Sequence, residues 1–300
     1  MKKIDLIEND YRQKSLKNFE KLSFLKNISK SNVYVTSTGL ICHKVNSDTD
    51  NSLKLWEKKI YSKKINSKLL NYSAYNPIMM ARHYYSVVFL KNSLDKINHL
   101  CDFGTGEGTF LNEFLRVFPL SKISFTEHSK KNFNKLKKTF KNNINFAHGI
   151  NDSIENSELL NKVDVATLNW TLCNCVDPLK VLAKIHKNLK TNGKLLISES
   201  SRIMVPFKKP IHNFFNKKLK TENTHPWFFS FRSLSNLLEV SGFRIVNFNR
   251  FYDENDLVVL AVKRNKKNHE PIIKFENKME IKKFLIAWKN FSRKFKVDER

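Results

Sequence analysis

The chain has no run of about 18 apolar residues, so no membrane span is expected. Its opening, MKKIDLIENDYRQKS, is basic but has no apolar h-region. It is not read as a signal peptide, and a cytoplasmic protein is expected. Cysteine is sparse: Cys42, Cys101, Cys173 and Cys175 are the four in 300 residues. Cys173 and Cys175 stand one residue apart, which is not the C-x-x-C spacing of a zinc knuckle or a redox pair. All four are read as reduced thiols, and no metal is expected. Acidic residues are outnumbered, 28 against 54 basic ones, for a net charge of +26. Such a charge attracts phosphates, whether of nucleic acid, nucleotide-linked substrates or membrane surface, and any anionic partner would bind in a salt-dependent way. Lysine far outnumbers arginine, however, and the lysines are scattered among abundant Asn, Ile and Phe, the pattern of an A/T-rich genome. The bland reading of the charge is therefore preferred. Glycine is scarcer still, with seven in the chain, yet three stand at alternate positions: Gly104, Gly106 and Gly108.

Those glycines lie in HLCDFGTGEGTFLNEFL, His99 to Leu115. A short apolar run reaches Asp102, the glycines follow, and then Phe110, Leu111, Phe114, Leu115 and Phe118 recur at helical spacing. The pattern is strand, glycine turn, helix. Glycine is required where backbone takes positive φ or passes close to a ligand. The helix start beyond such a turn offers free N–H groups to polar or anionic atoms. The dinucleotide fingerprint G-x-G-x-x-G would need glycine at 109, where Thr109 stands. The next strand-like run, KISFTE, ends in Glu127. An acid at that place can accept hydrogen bonds from both hydroxyls of a ribose.

Further along, β and α patterns alternate. The predicted strands are 97–102, 123–127, 144–149, 163–169 and 194–200, with helices between them. Asn76-Pro77 reads as the start of a helix ahead of the first strand, and Gly193 as the end of the helix that Asp177-Pro178 opens. Two final runs, FRIVNFNRF and DLVVLAVKR, read as an antiparallel hairpin. The fold class expected is α/β: a Rossmann-like, seven-stranded, mostly parallel sheet with helices on both faces and a C-terminal antiparallel hairpin. Its ligand rim lies beyond the carboxyl ends of the strands. That places Asp102 to Gly108, Glu127, Asn151–Asp152, Asn169–Trp170 and Glu199 together.

Three parts are expected: an N-terminal helical and hairpin extension (1–75), the core (76–264) and a C-terminal amphipathic helix (265–300). The hairpin is read in NVYVTSTGLICHKV, and a capped helix is read near Leu53, with Leu55, Trp56, Ile60 and Tyr61. The tail puts Ile281, Leu285, Trp288 and Phe291 on one stripe with lysines opposite. Docking of that stripe on the core is favoured over a membrane-surface role.

Asp102, the three alternate glycines and Glu127 resemble motif I and the following acidic position of class I S-adenosylmethionine (SAM) methyltransferases. Two more stretches narrow the resemblance. TLCNCVDPLKVLAKIHKNLKTNGKLLISES and HPWFFSFRSLSNLLEVSGF are similar to segments of bacterial methyltransferases of sugar, surface-glycan and natural-product pathways. In those enzymes a zinc knuckle often precedes the core. Here Val35 and Thr38 stand where its cysteines would be, and Cys173-Asn174 stands where relatives carry Glu-His. The resemblance covers about residues 33–262.

It implies SAM as cofactor, held by Asp102, Gly104, Gly106, Gly108 and Glu127, with Asn169 beside them and Asp152 near the adenine amino group. Asp152 reads equally as a solvated loop acid. His225 matches the family's histidine and is the candidate base, against a structural loop histidine. His128 is expected near the cofactor. Tyr75, Trp170, Trp227, Phe228 and Phe229 are candidates for the pocket wall or for plain core packing.

The substrate expected is a small polar metabolite such as a sugar or nucleotide-sugar. A nucleic-acid methyltransferase is the alternative that the charge suggests. It is not favoured, because LNWTLCN stands where an Asn/Asp-Pro-Pro-Tyr/Phe signature would, and no nucleic-acid-binding motif is present. A non-catalytic binding module of the same fold is the third reading.

Overall fold

Successive apolar residues of a strand point to opposite faces of a sheet, so a sheet covered on both sides reads as continuous apolar sequence. KLLIS and LVVLAV are such runs, and in the computed structural model they sit side by side, buried in one sheet. The structure describes residues 2–14, 17, 19–25, 33–45, 54, 72–200, 211, 225–249, 256–265 and 270–294. The helix expected near Leu53, the loop before it, most of the 200–224 insertion and the tip of the last hairpin lie outside the described residues.

The large sheet contains β4 (His99–Phe103), β5 (Lys122–Thr126), β6 (Phe146–Ile150), β7 (Val163–Asn169), β8 (Leu189–Ser200), β10 (Phe243–Phe248) and β11 (Asp256–Lys263). Its order is β10-β11-β8-β7-β4-β5-β6. Pairing is parallel from β6 to β8, while β11 is antiparallel to both of its neighbours. The chain leaves β4 towards β5 on one side and later returns to β7 on the other. The β4–β7 seam is thus the switch point of strand order, where open α/β sheets bind ligands.

Alternation sorts the side chains into two layers. Leu100, Ile123, Phe125, Val165, Leu196, Val258 and Leu260 face α2 (Tyr72–Ser93), α3 (Thr109–Val117) and α4 (Lys130–Phe140). Cys101, Phe103, Ala166, Leu168, Leu195, Ile197 and Val259 face α5 (Pro178–Asn188) and α6 (Phe231–Val240), with Ile7 and Tyr11 of α1 (Lys3–Arg12) in the same layer. Helices therefore cover both faces.

A second, four-stranded sheet joins the N-terminal segment to the segment just after the insertion. It consists of β1 (Glu20–Lys21), β2 (Val33–Val35), β3 (Ile41–His43) and β9 (Trp227–Phe228), in that order. The expected hairpin is β2–β3, turned at Gly39 with φ +88°. Its pairing with β9 was not legible, because a two-residue strand has no period. Helix α7 (Lys278–Lys294) lays Ile281, Leu285 and Trp288 on Leu22, Leu25, Val33, Val35 and Phe228, so the tail is docked. No helix of the described residues is long and apolar enough to cross a membrane.

Most boundaries move by one or two residues, and two helix boundaries differ from the sequence expectation by more. Helix α2 begins at Tyr72, four residues before Asn76. Pro77 falls in its second turn, where the one backbone bond forgone would reach Ser73 in the first turn, so the helix runs through. Helix α5 ends at Asn188 rather than at Gly193, because Leu189 already pairs with Val163 in β8. The register then shifts between Val163 and Val165, and Asn192, not Gly193, takes positive φ at +58°.

Candidate active site

Beyond β4 the chain bends through Gly104, Gly106 and Gly108, with φ of +73°, +63° and +84°. Side chains avoid this conformation, which is why glycine recurs here in a chain with so little of it. The bend is anchored to β5: the Gly104 and Thr105 amides donate to the Thr126 carbonyl at 3.0 and 3.1 Å. At the end of β5, Glu127 turns its carboxylate to the bend. Its Oε2 accepts from the Gly106 amide at 2.7 Å, and its Oε1 from the Ser129 amide at 2.8 Å. Asn151 closes the rim from β6, donating to the Glu127 carbonyl at 2.8 Å.

Asp102 sits under the bend and is 1% exposed. Its Oδ1 accepts from Thr167 Oγ1 at 2.6 Å and Asn169 Nδ2 at 3.1 Å. Both donors come from β7, two residues apart on one face, with Thr167 directly opposite Asp102 in the ladder. Burial pushes the Asp102 carboxyl up to about 6, against the pull of Thr167, Asn169 and Thr105. From this position Asp102 sets the β4–β7 seam and Asn169 rather than reaching outward itself. Thr167 escaped the sequence reading; the signal available was its place two residues before Asn169.

After Asn169 the chain turns at Trp170, which has φ +50°. Thr171 Oγ1 donates to the Asn169 carbonyl at 3.0 Å, and its methyl lies where a side chain on Gly104 would go. This packs the two bends together. Helix α2 reaches the same place. The Arg82 guanidinium lies 5.2 Å from the Trp170 ring centre, a cation–π distance, and pairs with Asp256 at 3.1 Å. The His83 ring is 5.6 Å from that of Trp170 and 6.2 Å from that of Phe110. Burial, with Arg82 beside it, lowers the His83 pKa to about 4, so the ring is neutral at pH 7. Arg82 and His83 gave no distinctive sequence signal beyond their place on a helix expected beside the glycines.

The remaining candidates divide. His225 lies against the turn after β7: its Nδ1 hydrogen-bonds Asn174 Oδ1, and Cys173 Sγ is 3.9 Å away. It thus meets Cys173 and Asn174 of the short 3-10 turn Leu172–Asn174. Asp152 Oδ1 is turned into its own loop, accepting from the Ser153 amide at 2.6 Å and Asn156 Nδ2 at 3.2 Å. His128 is half-buried, and its carbonyl accepts from Asn151 at 3.1 Å. Trp227, Phe228 and Phe229 are core residues, at most 1% exposed, and the Trp227 indole donates to the Cys175 carbonyl at 2.7 Å. The Tyr75 side chain lies outside the described residues. The cysteines are free thiols; burial raises Cys42, Cys101 and Cys175 well above the usual range, so they pack as small apolar groups. Among the described residues no cluster of His, Cys, Asp and Glu is arranged to hold a metal.

The site has room and unmet polar atoms. A Cβ added to Gly106 would meet nothing within 4 Å. Asn169 Oδ1 and Trp170 Nε1 are buried with no hydrogen-bond partner among the described residues. Buried polar atoms are normally paired, so an unpaired acceptor and donor at the strand ends suit a ligand carrying both. The ammonium, carboxylate and ribose of SAM provide such groups.

Strand order, glycine bend and opposed carboxylate define a class I SAM-dependent methyltransferase. A family model for the methyltransferase domain matches residues 79–247, more than half of the chain. The chain belongs to that family.

Over 56 residues it is 38% identical to the ubiquinone/menaquinone biosynthesis C-methyltransferase UbiE of Citrifermentans bemidjiense, a stretch covering 19% of this chain and 24% of that protein. The chain therefore matches about a quarter of that relative's length. Among solved structures, the plantazolicin methyltransferase BamL superposes with a TM-score of 0.54 at 11% identity, over 72% of this chain and 96% of BamL. The Burkholderia thailandensis 1,6-didemethyltoxoflavin-N1-methyltransferase gives 0.53 at 14%, over 75% and 96%. The mitomycin 7-O-methyltransferase MmcR gives 0.53 at 16%, over 70% and 60%. At these identities the likeness is one of fold.

Proposed function

We propose that this chain methylates a nucleophile on a small polar molecule, a sugar, nucleotide-sugar or related precursor, with Glu127 holding the ribose of SAM and His225 taking the nucleophile's proton. The observation that carries the reading is the Glu127 carboxylate aimed at the glycine bend, beside open space at Gly106. Each carboxylate oxygen offers two lone pairs, so Glu127 can accept from ribose hydroxyls as well as from backbone amides. Asn169 and Trp170 would pair with the amino-acid end, and Asp152 keeps its other oxygen for the adenine edge. When bound, SAM supplies a methyl group already activated on a sulfonium. The protein's task is then to orient the nucleophile, exclude water and accept a proton. Small-molecule acceptors are named for the mitomycin and toxoflavin enzymes. The same class of acceptor is proposed here, and the segment resemblance supports a sugar.

The test is transfer of label from methyl-labelled SAM into fractionated metabolite pools, nucleotide-sugars and total RNA. Label in a small polar fraction is expected. Label confined to RNA would replace this reading with the nucleic-acid one that the charge of +26 suggests.

A further inference from the structure

The positive charge is scattered along the sequence, but helix α4 gathers part of it on one face. From His128 to Asn151 there is no Asp or Glu, and Lys130, Lys131, Lys135, Lys137, Lys138 and Lys141 fall in that stretch. Asn132, Leu136 and Phe140 turn into the core, and Ser129 caps the helix start. All six lysines are exposed. At 3.6 residues per turn they share one half of the helix, with exposed Asn134 and Thr139 beside them. Lys141 continues the stripe because its backbone is still helical, at φ −49° and ψ −41°.

This arrangement works against the helix. Lys130 and Lys131 stand in its first turn, where the macrodipole favours acids. Lys131 and Lys135, and Lys137 and Lys141, are like charges four apart, which repel. Lys135 reaches Glu107 of the glycine bend at 3.7 Å, with both side chains about half exposed. Lys130, Lys137, Lys138 and Lys141 have no ion pair among the described residues. A polyanion laid along the face would relieve the repulsion, and each phosphate gripped would release condensed counterions.

We propose that the outer face of α4 docks the phosphate backbone of a nucleic acid without reading its sequence. At 1.5 Å per residue the stripe from Lys130 to Lys141 is about 16 Å long. At 3.4 Å per phosphate it matches about five phosphates of one strand. The exposed residues of the helix include no aromatic ring to stack a base. They include no apolar side chain to enter a lipid surface either, which favours a nucleic acid over a membrane. The Ser129 amide at the head of the helix donates to Glu127, so the face begins beside the proposed ribose site. The docking does not depend on what is methylated.

The test needs neither SAM nor a methyl acceptor. Fluorescence anisotropy follows single-stranded RNA of about 20 nucleotides, longer than the stripe, between about 50 and 200 mM salt. Native protein is expected to bind, with affinity falling steeply as salt rises, and to hold oligo-U and oligo-A within about threefold of each other. Lys130→Gln, Lys137→Gln, Lys138→Gln and Lys141→Gln together should weaken binding about 10-fold or more and reduce the salt slope by about 2–3. Lys3→Gln, Lys14→Gln, Lys96→Gln and Lys162→Gln together remove the same charge elsewhere and should cost no more than about threefold, since distant exposed charges are screened. Equal losses in the two variants would assign binding to net charge alone and overturn the proposal. So would the absence of RNA binding at about 50 mM salt, where phosphate contacts are strongest. Capture of phosphatidylserine vesicles but not RNA by this face would make it a membrane contact instead. If the fourfold α4 variant does not fold, Lys137→Glu against Lys96→Glu carries the same comparison, with a loss of about threefold or more expected for the first alone. Label transfer from SAM is measured separately, so the docking face stands or falls whichever fraction carries the label.

Discussion

Glu127 Oε2 accepts from the Gly106 amide at 2.7 Å, so a carboxylate at the end of one strand is held against the bend at the end of its neighbour. Two strands that share no side-chain pattern in sequence are thereby joined at the proposed ribose site. Glu127→Ala removes the acceptor for the ribose and the brace on the bend. Hydrogen bonds to a charged group contribute about 1.5–3 kcal/mol, so SAM affinity should fall roughly 10- to 100-fold. Isothermal titration of native and variant protein checks this. Equal affinities would show that the carboxylate serves only the backbone.

Gly106 and Gly108 should respond differently to alanine. At Gly106 the added methyl points into open space, so the fold bears only the strain of a side chain at φ +63°, about 1 kcal/mol. The methyl would occupy the proposed cofactor space, and binding of SAM should weaken while the melting temperature moves by a few degrees. At Gly108 the methyl would lie 2.5 Å from Leu136 Cδ2, under a helix packed on β5. Overpacking together with strain should cost about 2–4 kcal/mol there. Chemical denaturation of both variants separates the two outcomes.

Asp102 makes the fold pH-sensitive in a direction opposite to most carboxylates. Its folded pKa, about 6, lies above the ordinary 3.8, so the folded state holds the proton more tightly. Stability contributed by this group is full below about pH 4 and is lost as pH rises through 6. Asp102→Asn keeps an oxygen for Thr167 and Asn169 but has no proton to lose. Relative to native protein it should gain of order 2–3 kcal/mol between pH 4 and pH 7, and no more above that. His83, with its pKa lowered to about 4, pulls the native curve the other way over the same range. The comparison must therefore be between variant and native protein at each pH, by urea denaturation. A constant difference would contradict the burial assigned to Asp102.

Trp288 is 2% exposed and anchors α7 on the small sheet. Trp288→Ala should destabilise by about 3–5 kcal/mol, as for other buried aromatic residues. A helix serving only as a basic membrane-surface element would lose almost nothing, and the melting curve distinguishes the two.

The large sheet was legible because its signals are local. Apolar runs gave the strands, helical spacing gave the covering helices, and the glycines with Glu127 marked the rim. Asn169 was legible from its place at a strand end. Contacts set by packing between distant segments were not. Nothing at Trp227–Phe228 says that it will add a strand to a hairpin some 185 positions earlier. Asn174 could be read as a departure from relatives but not as a partner of His225, since their meeting depends on where the chain returns after the insertion. Arg82 and His83 meet Trp170 only because α2 packs over β8 and β11, with Ser86 against Ser198 and Arg82 against Asp256. Boundaries moved where pairing outweighed a local signal, as at Leu189 ahead of Gly193.

The most direct test of the site is calorimetric titration of the native protein with SAM and with its demethylated product, S-adenosylhomocysteine. Saturable binding of both at one site per chain is expected, with a thermal shift that grows with ligand concentration. No heat and no thermal shift with either ligand would contradict the assignment of the glycine bend and Glu127 to the cofactor.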